Sequence, residues 1–388
     1  MTRPIAIYVH IPFCTVKCGY CDFNAYSGME NLKEGYGRAL VREIQLAAPL
    51  LEGRQVSSIG FGGGTPGEVP ASDIAAVIES VGLLGEILPD AEISLEANPG
   101  TITDVALRAL RRGGVNRLSL GAQSFNADEL RFLDRIHSPE ATAGSLRIAR
   151  EAGFASVGLD LIYGLPGQAL ESWEASLRKA ICLQPDHIST YALTVEPGTP
   201  LARRVSKGQV VPLDDDAVAD QYEAATEILT AAGFEQYELS NWARPGHQSR
   251  HNRTYWTDGE YLGIGAGAHG YVAGQRYENV AHPRQYIAAV ADAPNGPFAA
   301  LANQYLPGTP TAMSDWLSLR LRLIEGFDPV DFESRFEVPI PARVQAVFQE
   351  MAQVGVVILE PRICLSQGGR LLHGEVAACI LAALPQEG

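Results

Sequence analysis

Short apolar runs alternate with longer amphipathic stretches along the first 235 residues. The apolar runs predict strands at residues 5–9, 57–61, 92–96, 117–120, 156–162 and 187–193. Apolar residues at helical spacing predict helices at 32–50, 72–84, 103–112, 127–135, 139–152, 170–183 and 214–232. Strands that alternate with helices imply βαβ units and a parallel sheet. About six units fall short of the eight of a closed barrel, so residues 1–235 are predicted to form an open α/β barrel.

The pattern changes twice after residue 235. Between 236 and 305, Gly, His, Tyr and Trp become frequent, which predicts extended segments and loops packed against the barrel. From 306 to 388, the spacing predicts helices at 312–325, 342–354 and 371–384, with a hairpin over 356–365 that turns near Glu360-Pro361. This part is therefore predicted to be a small, mainly helical, winged-helix-like domain.

Composition and charge limit the function. The chain has 388 residues, 46% of them hydrophobic, and a formal net charge of −15. Because phosphate binding needs a basic face, this charge argues against nucleic acid as a partner. No signal peptide and no apolar run long enough to span a membrane are expected, and metal-binding thiols need a reducing compartment. The prediction is a cytoplasmic protein that is not an integral membrane protein.

Three of the six cysteines, Cys14, Cys18 and Cys21, lie within eight residues in a loop after the first strand. Clustered thiolates at C-x3-C-x2-C spacing bind zinc or an iron–sulfur cluster. Zinc takes four ligands, and His10 is the nearby candidate for the fourth. A cubane cluster held by three cysteines instead keeps one iron open to chelate the amino and carboxylate groups of a small molecule. The spacing favours the cluster without excluding zinc. The other cysteines are single and are predicted to be core residues: Cys182, Cys364 and Cys379.

Further candidate residues fall at the carboxyl ends of the predicted strands, where parallel barrels bind ligands. They are Gly62, Gly63, Gly64 and Thr65 after the second strand, Glu96 on the third, Gln123 after the fourth and Asp160 on the fifth. Three glycines more often only make a turn, and a single strand carboxylate is more often structural. A set of polar residues on successive strands favours a ligand site.

The cysteine spacing with Tyr20 before the third cysteine resembles the radical S-adenosylmethionine (SAM) superfamily. The motifs YVHIPFC and YCDFN narrow the resemblance to the oxygen-independent coproporphyrinogen oxidase-like branch of that superfamily. The resemblance implies an incomplete (β/α)6 radical-SAM barrel, with a 4Fe-4S cluster on Cys14, Cys18 and Cys21. It also implies that SAM is bound by Tyr8, Tyr20, Gly63, Gly64, Thr65, Glu96, Gln123, Arg135 and Asp160.

Within that branch, the decarboxylating enzymes carry a further cysteine two positions after the third, where this chain has Phe23. Phenylalanine there is the pattern of the HemW-type haem chaperones. The motif His251-Asn-Arg-Thr-Tyr255-Trp256 also favours a haem chaperone, since an imidazole beside aromatic rings suits an axial ligand of haem iron. A lone histidine is nevertheless more often a structural residue. The resemblance implies a role for these residues in haem binding, with His269 as the second candidate ligand.

These observations favour a haem chaperone that carries a 4Fe-4S cluster, SAM and haem and that delivers haem to acceptor proteins such as respiratory enzymes. An exposed cluster or haem would favour a homodimer. The first alternative is an oxygen-independent coproporphyrinogen III oxidase, which would use the same cluster and SAM pocket. A radical methylase or cyclopropanase and a zinc-stabilised barrel without redox chemistry follow in that order.

Overall fold

The computed structural model describes residues 4–294 and 296–384. Six parallel strands form its first part: β1 (Ile5–Ile11), β2 (Gln55–Gly63), β3 (Glu86–Ala97), β4 (Arg117–Gln123), β5 (Ser156–Tyr163) and β6 (His187–Ala192). The helices that follow these strands are α1 (Lys33–Leu46), α2 (Ala48–Leu51), α3 (Ala71–Leu84), α4 (Asp104–Arg112), α5 (Ala127–Phe132), α6 (Pro139–Glu151), α7 (Leu170–Cys182), α8 (Pro200–Ser206) and α9 (Asp215–Ala231). The predicted alternation of six strands with helices is confirmed, but α8, between β6 and α9, was not predicted.

The second part extends the sheet at both edges. It contains β7 (Glu235–Glu238), β8 (Asn241–Ala243), α10 (Arg250–Trp256), β9 (Tyr261–Ile264), β10 (His269–Val272), β11 (Gln275–Asn279), α11 (Pro283–Asp292) and β12 (Leu301–Tyr305). Within the described ranges, twelve strands form one sheet in the order β12-β11-β10-β9-β1-β2-β3-β4-β5-β6-β8-β7. β1 pairs with β2 and β9, whereas β6 pairs with β5 and β8. The incomplete (β/α)6 barrel is therefore confirmed, with its two edge strands continued by further strands.

The last part is helical, as predicted, with a short hairpin. It comprises α12 (Thr309–Arg320), α13 (Pro329–Phe336), α14 (Ala342–Gln353), β13 (Val357–Ile358), β14 (Cys364–Leu365) and α15 (His373–Ala383). β13 and β14 pair antiparallel on either side of Glu360-Pro361. This part has a hydrophobic core of its own, centred on Trp316, Phe332 and Phe348, which Leu239 joins from outside. No helix of the described chain has the length and apolar character needed to cross a membrane.

Three local predictions were wrong for identifiable reasons. The helix predicted over 32–50 is two helices, because Pro49 cannot continue α1 but fits the first turn of α2. The stretch 236–305 contains α10 and α11, although it was predicted to lack helices. Cys182 and Cys379 are exposed rather than buried, because they lie on the outer faces of α7 and α15.

Candidate functional site

A cavity of about 580 Å³ opens at the carboxyl ends of the six parallel strands. The cysteine loop between β1 and α1 covers one side of it, and the sheet forms its wall. Every residue predicted for the cluster and for SAM lines this cavity: Tyr8, Cys14, Cys18, Tyr20, Cys21, Gly63, Gly64, Thr65, Glu96, Gln123, Arg135 and Asp160. The structure thus brings together side chains that lie up to 152 positions apart in the sequence.

The three thiols belong to this one loop and face the cavity. The Thr65 hydroxyl accepts a hydrogen bond from Asn98 Nδ2 at 3.0 Å, so its own proton is free for Cys14 Sγ at 3.4 Å. Arg135 Nη1 donates to Cys18 Sγ at 3.6 Å. Among the described residues, no three Cys, His, Asp or Glu side chains already converge around one metal-sized point. The loop therefore supplies sulfur ligands next to donors that stabilise thiolates.

Burial makes two of these thiols harder to ionise in the protein alone. It raises the pKa of Cys14 and of Cys21 above the usual range of a thiol. Metal binding requires the thiolate form, so loading such a site releases protons.

His10 holds the end of the cysteine loop. Its Nε2 lies 2.9 Å from the carbonyl oxygen of Asn24 and therefore donates, which leaves Nδ1 to accept from the Tyr8 hydroxyl at 2.9 Å. Because both ring nitrogens are engaged and the ring is buried, His10 positions the loop and is not placed as a fourth zinc ligand.

Arg135 connects the loop to the strand ends on the other side of the cavity. Its Nη2 donates to Asn98 Oδ1 at 2.5 Å and to the carbonyl oxygen of Gly121 at 2.8 Å. Gln123 follows at the end of β4 with φ of 63°, a left-handed backbone that few residues other than glycine adopt. A permanently charged guanidinium in this position can bind a carboxylate from a ligand.

Two carboxyl groups, Glu96 and Asp160, face the cavity from β3 and β5. Burial, and then the neighbouring Asp160, raise the pKa of Glu96 to about 7. Burial also raises the pKa of Asp160, although Ser119 Oγ donates to it at 2.9 Å. Neighbouring carboxyls with raised pKa values in a cavity are typical of ligand sites, where an amino group or hydroxyl group of the ligand can bind to them.

The glycines of β2 make room for protein side chains rather than for an open turn. A Cβ at Gly62 would lie 3.1 Å from Glu96 Oε1 and from the Tyr8 ring, and one at Gly60 would lie 2.5 Å from His251 Nε2. At Gly63, whose φ is 109°, a Cβ would lie 2.4 Å from the His10 ring. The side chains of Tyr8, His10 and His251 can therefore pack over β2 only because that strand has glycine at these three positions.

The HNxxYW motif lies on α10, which packs against β2 and β3. The Ser249 side chain caps the helix, and Glu92 of β3 accepts hydrogen bonds from Ser249 Oγ and His251 N at 3.1 Å and from Arg250 N at 3.2 Å. A carboxylate at a helix N-terminus accepts hydrogen bonds from the free N–H groups there, and its negative charge interacts favourably with the helix dipole. This contact comes from another strand, so local sequence did not predict the helix.

The four candidate haem residues line two cavities, and Tyr255 lines both of them. His251 and Tyr255 line the barrel cavity, whereas Tyr255, Trp256 and His269 line a second cavity of about 450 Å³ beyond β1. His251 is buried, with Nδ1 at 2.9 Å from Ser58 Oγ and Nε2 at 2.8 Å from the Tyr255 hydroxyl. Burial lowers its pKa to about 4, so the ring is neutral.

Several polar residues that line the barrel cavity were not predicted from the sequence. They are Asn98, Arg117, Ser119, His187 and Ser189. Arg117 Nη1 donates to the carbonyl oxygen of His247 at 2.9 Å and lies 3.5 Å from Glu92 Oε2. Each alternates with apolar neighbours on a strand or follows a strand end, and that alternation is the signal that could have identified them.

Comparison with known proteins decides the family. A family model described as the radical SAM superfamily matches residues 8–180. The "Heme chaperone HemW" of Mycobacterium tuberculosis (strain ATCC 25618 / H37Rv) is 38% identical over 98% of this chain and 95% of that protein. The chain belongs to the HemW family.

Two further HemW proteins agree. The Escherichia coli (strain K12) HemW is 41% identical over 73% of this chain and 76% of that protein, and the Bacillus subtilis (strain 168) HemW is 33% identical over 97% and 99%. Among solved structures, the coproporphyrinogen III oxidase HemN of Escherichia coli, described as a radical SAM enzyme, matches with a TM-score of 0.84 and 28% identity. It covers 97% of this chain and 90% of that chain. The predicted superfamily and branch are confirmed.

Membership of the radical SAM superfamily implies a 4Fe-4S cluster and SAM as cofactors. The residues present fit both groups. Three thiols face one cavity beside the Arg135 guanidinium, and the Glu96 and Asp160 carboxyls, whose pKa values are raised, line the same cavity, where a ligand can reach them.

Proposed function

We propose that this HemW family member is a haem chaperone, which binds haem and passes it to acceptor haem proteins in the cytoplasm or at a membrane. The observation that carries the proposal is the similarity to HemW proteins along almost the whole chain. Phe23 supports it, because this position holds no additional thiol and its ring is 61% exposed at the mouth of the cavity. The same proposal includes transfer of haem to acceptor haem proteins and formation of a homodimer.

In this proposal Cys14, Cys18 and Cys21 hold a 4Fe-4S cluster, and SAM lies beside it in the barrel cavity. Arg135 would bind the SAM carboxylate, and Glu96 and Asp160 would accept hydrogen bonds from its amino group and ribose hydroxyls. Tyr8, Tyr20, Gln123 and the Gly63–Thr65 turn would complete the walls. A cluster with an open iron supplies redox chemistry and a position for SAM, whereas the protein supplies orientation and excludes water.

Replacing one cluster ligand tests this part. Iron and sulfide analysis of anaerobically reconstituted Cys14→Ala protein should show near-total loss of both elements, because two thiolates cannot hold a cubane cluster. Cys182→Ala is the matched control, since Cys182 is exposed at the end of α7 and lies outside the cavity. Retention of iron and sulfide in Cys14→Ala would show that the cluster assignment is wrong.

Haem binding itself is tested with the intact, reconstituted protein. Haemin titration followed at the Soret band should give a shifted, saturable signal near one haem per chain. Mixing the loaded protein with an apo haem protein should then move the Soret signal to the acceptor. A titration without saturation would contradict the chaperone proposal.

Oxygen-independent oxidation of coproporphyrinogen III is the second candidate, and the close structural match to HemN favours it. The barrel cavity would serve either function equally well. Anaerobic incubation with coproporphyrinogen III, SAM and a reductant distinguishes them. Release of carbon dioxide with formation of protoporphyrinogen IX would establish the enzyme, and unchanged substrate together with haem transfer would establish the chaperone.

A further inference from the structure

Asn98 follows the last residue of β3 and lines the barrel cavity. Its Nδ2 donates to Thr65 Oγ1 at 3.0 Å, and its Oδ1 accepts from Arg135 Nη2 at 2.5 Å. Thr65 Oγ1 in turn lies 3.4 Å from Cys14 Sγ, and Arg135 Nη1 donates to Cys18 Sγ at 3.6 Å. A continuous chain of hydrogen bonds therefore connects two of the cysteine sulfurs through the amide group of Asn98.

The orientation of the Asn98 amide follows from its partners. A guanidinium has only N–H donors, so the atom that faces Arg135 must be the amide oxygen. The amide nitrogen then faces Thr65 and donates to its hydroxyl oxygen. The Thr65 proton has to point elsewhere, and Cys14 Sγ is the other hydrogen-bond partner that the described residues give this hydroxyl. Asn98 thus makes Thr65 a donor toward Cys14.

The backbone around Asn98 holds the amide in place. Its carbonyl oxygen accepts hydrogen bonds from Thr101 N at 3.3 Å and from Thr101 Oγ1 at 3.0 Å. Pro99 follows, and proline restricts the residue before it to extended conformations. On β4, a Cβ at Gly121 would lie 3.2 Å from Arg135 Nη2 and 3.5 Å from Asn98 Oδ1. The glycine therefore leaves room for these two side chains to meet beside the strand.

Hydrogen bonds to cysteine sulfur affect how easily an iron–sulfur cluster is reduced. Reduction adds negative charge to the cluster, and donors to the sulfurs stabilise that charge and raise the reduction potential. Thr65 lies in the turn after β2, whereas Arg135 lies beyond α5, so the two donors come from separate elements. Asn98 is the residue that hydrogen-bonds to both of them. Each bond in such a chain also polarises the next, which strengthens the bond to sulfur.

We propose that Asn98 is a positioning residue of the cluster site, which makes the Thr65 hydroxyl a donor to Cys14 and thereby raises the reduction potential of the cluster. This inference rests on the cluster assignment in the proposed function. Within the described residues, Asn98 makes no hydrogen bond to a cysteine sulfur, so its effect on the cluster passes through its neighbours.

The isosteric change Asn98→Asp tests the arrangement at a single atom. The carboxylate can still accept from Arg135, but the atom that faces Thr65 changes from a donor to an acceptor, and the Thr65 proton turns away from Cys14. Anaerobic redox titration followed by electron paramagnetic resonance should show a lower midpoint potential, with the iron and sulfide content of the parent. We expect at least a tenfold lower ratio of reduced to oxidised cluster at a fixed potential, which is about 59 mV for one electron.

Thr65→Val separates the hydrogen-bond effect from the effect of the added negative charge. Alone, it should lower the midpoint potential, because valine has a similar volume but donates no hydrogen bond to Cys14. In the Thr65→Val background, Asn98→Asp should cause a smaller shift than in the parent, since only the charge effect remains.

Asn126→Asp is the matched control for the same change of charge. Asn126 caps α5 and does not line the cavity. Aspartate caps a helix as well as asparagine does, so this variant should keep both the stability and the midpoint potential of the parent.

The possible outcomes separate this inference from the function on which it rests. Equal shifts from Asn98→Asp in the parent and in the Thr65→Val background would mean that charge alone acts. An unchanged midpoint potential in Thr65→Val would mean that the hydroxyl does not act on the cluster, whatever Asn98→Asp does. Either result overturns the inference and leaves the chaperone function standing. If the reconstituted parent protein contains no cluster, the cofactor part of the proposed function fails instead.

Discussion

Glu43 of α1 has a buried carboxyl group that faces the strands beyond β1 and α11. Its oxygens accept hydrogen bonds from the Tyr286 hydroxyl at 2.6 Å, from Asn279 Nδ2 at 2.7 Å and from Gly265 N at 2.8 Å. Burial nevertheless raises its pKa to about 7, because three donors do not replace full hydration of the charge. None of these three donors belongs to the cysteine loop, so the titration of Glu43 can be followed in the apoprotein.

We expect Glu43 to make the protein less stable as pH rises. Below a pH of about 4.5 the carboxyl is protonated in both states, and between about 4.5 and 7 only the unfolded state loses its proton, so the free energy of unfolding falls by about 3 kcal/mol. Glu43→Gln removes this titration. Denaturant unfolding of the apoprotein at pH 5 and pH 8 should therefore show a smaller difference in the variant than in the parent. An equal difference in both proteins would refute the predicted shift.

At the residue scale, sequence predicted the groups that we propose to bind the cofactors, and it did not predict the residues that hydrogen-bond to the surrounding elements. The cysteines follow from a motif, Asp160 from its position on a strand and Arg135 from the family resemblance, and all line one cavity. Glu92 and Asn98 could not be assigned in the same way, because their partners lie on other elements far away in the sequence. A residue's type shows what it can bind, but only the fold shows what it contacts.

At the scale of elements, α10 depends on the strand beneath it. His251 lies over Gly60 of β2, where a Cβ would approach Nε2 within 2.5 Å and Cδ2 within 2.6 Å. The ring cannot move aside easily, because Ser58 and Tyr255 hold both of its nitrogens. The helix was not predicted, since a capping carboxylate on β3 and a bare glycine on β2 are tertiary features. The parallel strands were predicted well, because burial on both faces gives them continuous apolar runs.

Gly60→Ala should therefore destabilise the protein and displace α10. Overpacking at such a contact costs about 1–3 kcal/mol, whereas alanine in place of an unobstructed strand glycine would normally help. Thermal unfolding of the apoprotein measures the loss, and haemin titration should show weaker binding through the displaced Tyr255. Gly144→Ala is the matched control, because a Cβ there meets no neighbour within 4 Å and alanine favours the α6 helix by about 0.5–1 kcal/mol. Equal stability of the two variants would contradict this account of the α10–β2 contact.

At the scale of the whole molecule, the C-terminal helical part is joined to the barrel around the second cavity. Leu239 enters its hydrophobic core, and Leu319 contributes to the cavity wall. Charged groups cross the same boundary, with Arg253 2.8 Å from Glu325 and Arg335 2.7 Å from Asp258. The division into three parts that was predicted from the sequence could not show that the third part borders the second cavity, since that depends on packing between distant segments.

The pair formed by Glu238 and Arg322 allows this connection to be measured. The Glu238 side chain is fully buried, Arg322 Nη2 lies 3.4 Å away, and burial raises the pKa of Glu238 despite that partner and the Asn241 amide. Arg322→Met should lower the free energy of unfolding by about 3 kcal/mol, because it leaves a buried carboxylate without its counter-charge. The loss should shrink as pH falls, since a carboxyl with a raised pKa becomes protonated and neutral.

A double-mutant cycle separates the charge effect from the packing effect. Adding Glu238→Gln to Arg322→Met should restore most of the lost stability, because no buried charge then remains. A loss of about 0.5–1 kcal/mol in the free energy of unfolding should remain in the double variant. The Arg322 guanidinium also lies 4.3 Å from the centroid of the Trp256 ring, and methionine cannot replace that cation–π contact. If Arg322→Met alone leaves the unfolding midpoint unchanged at pH 8, the pair does not couple the two parts. Trp256 would in that case owe its position in the cavity wall to α10 alone.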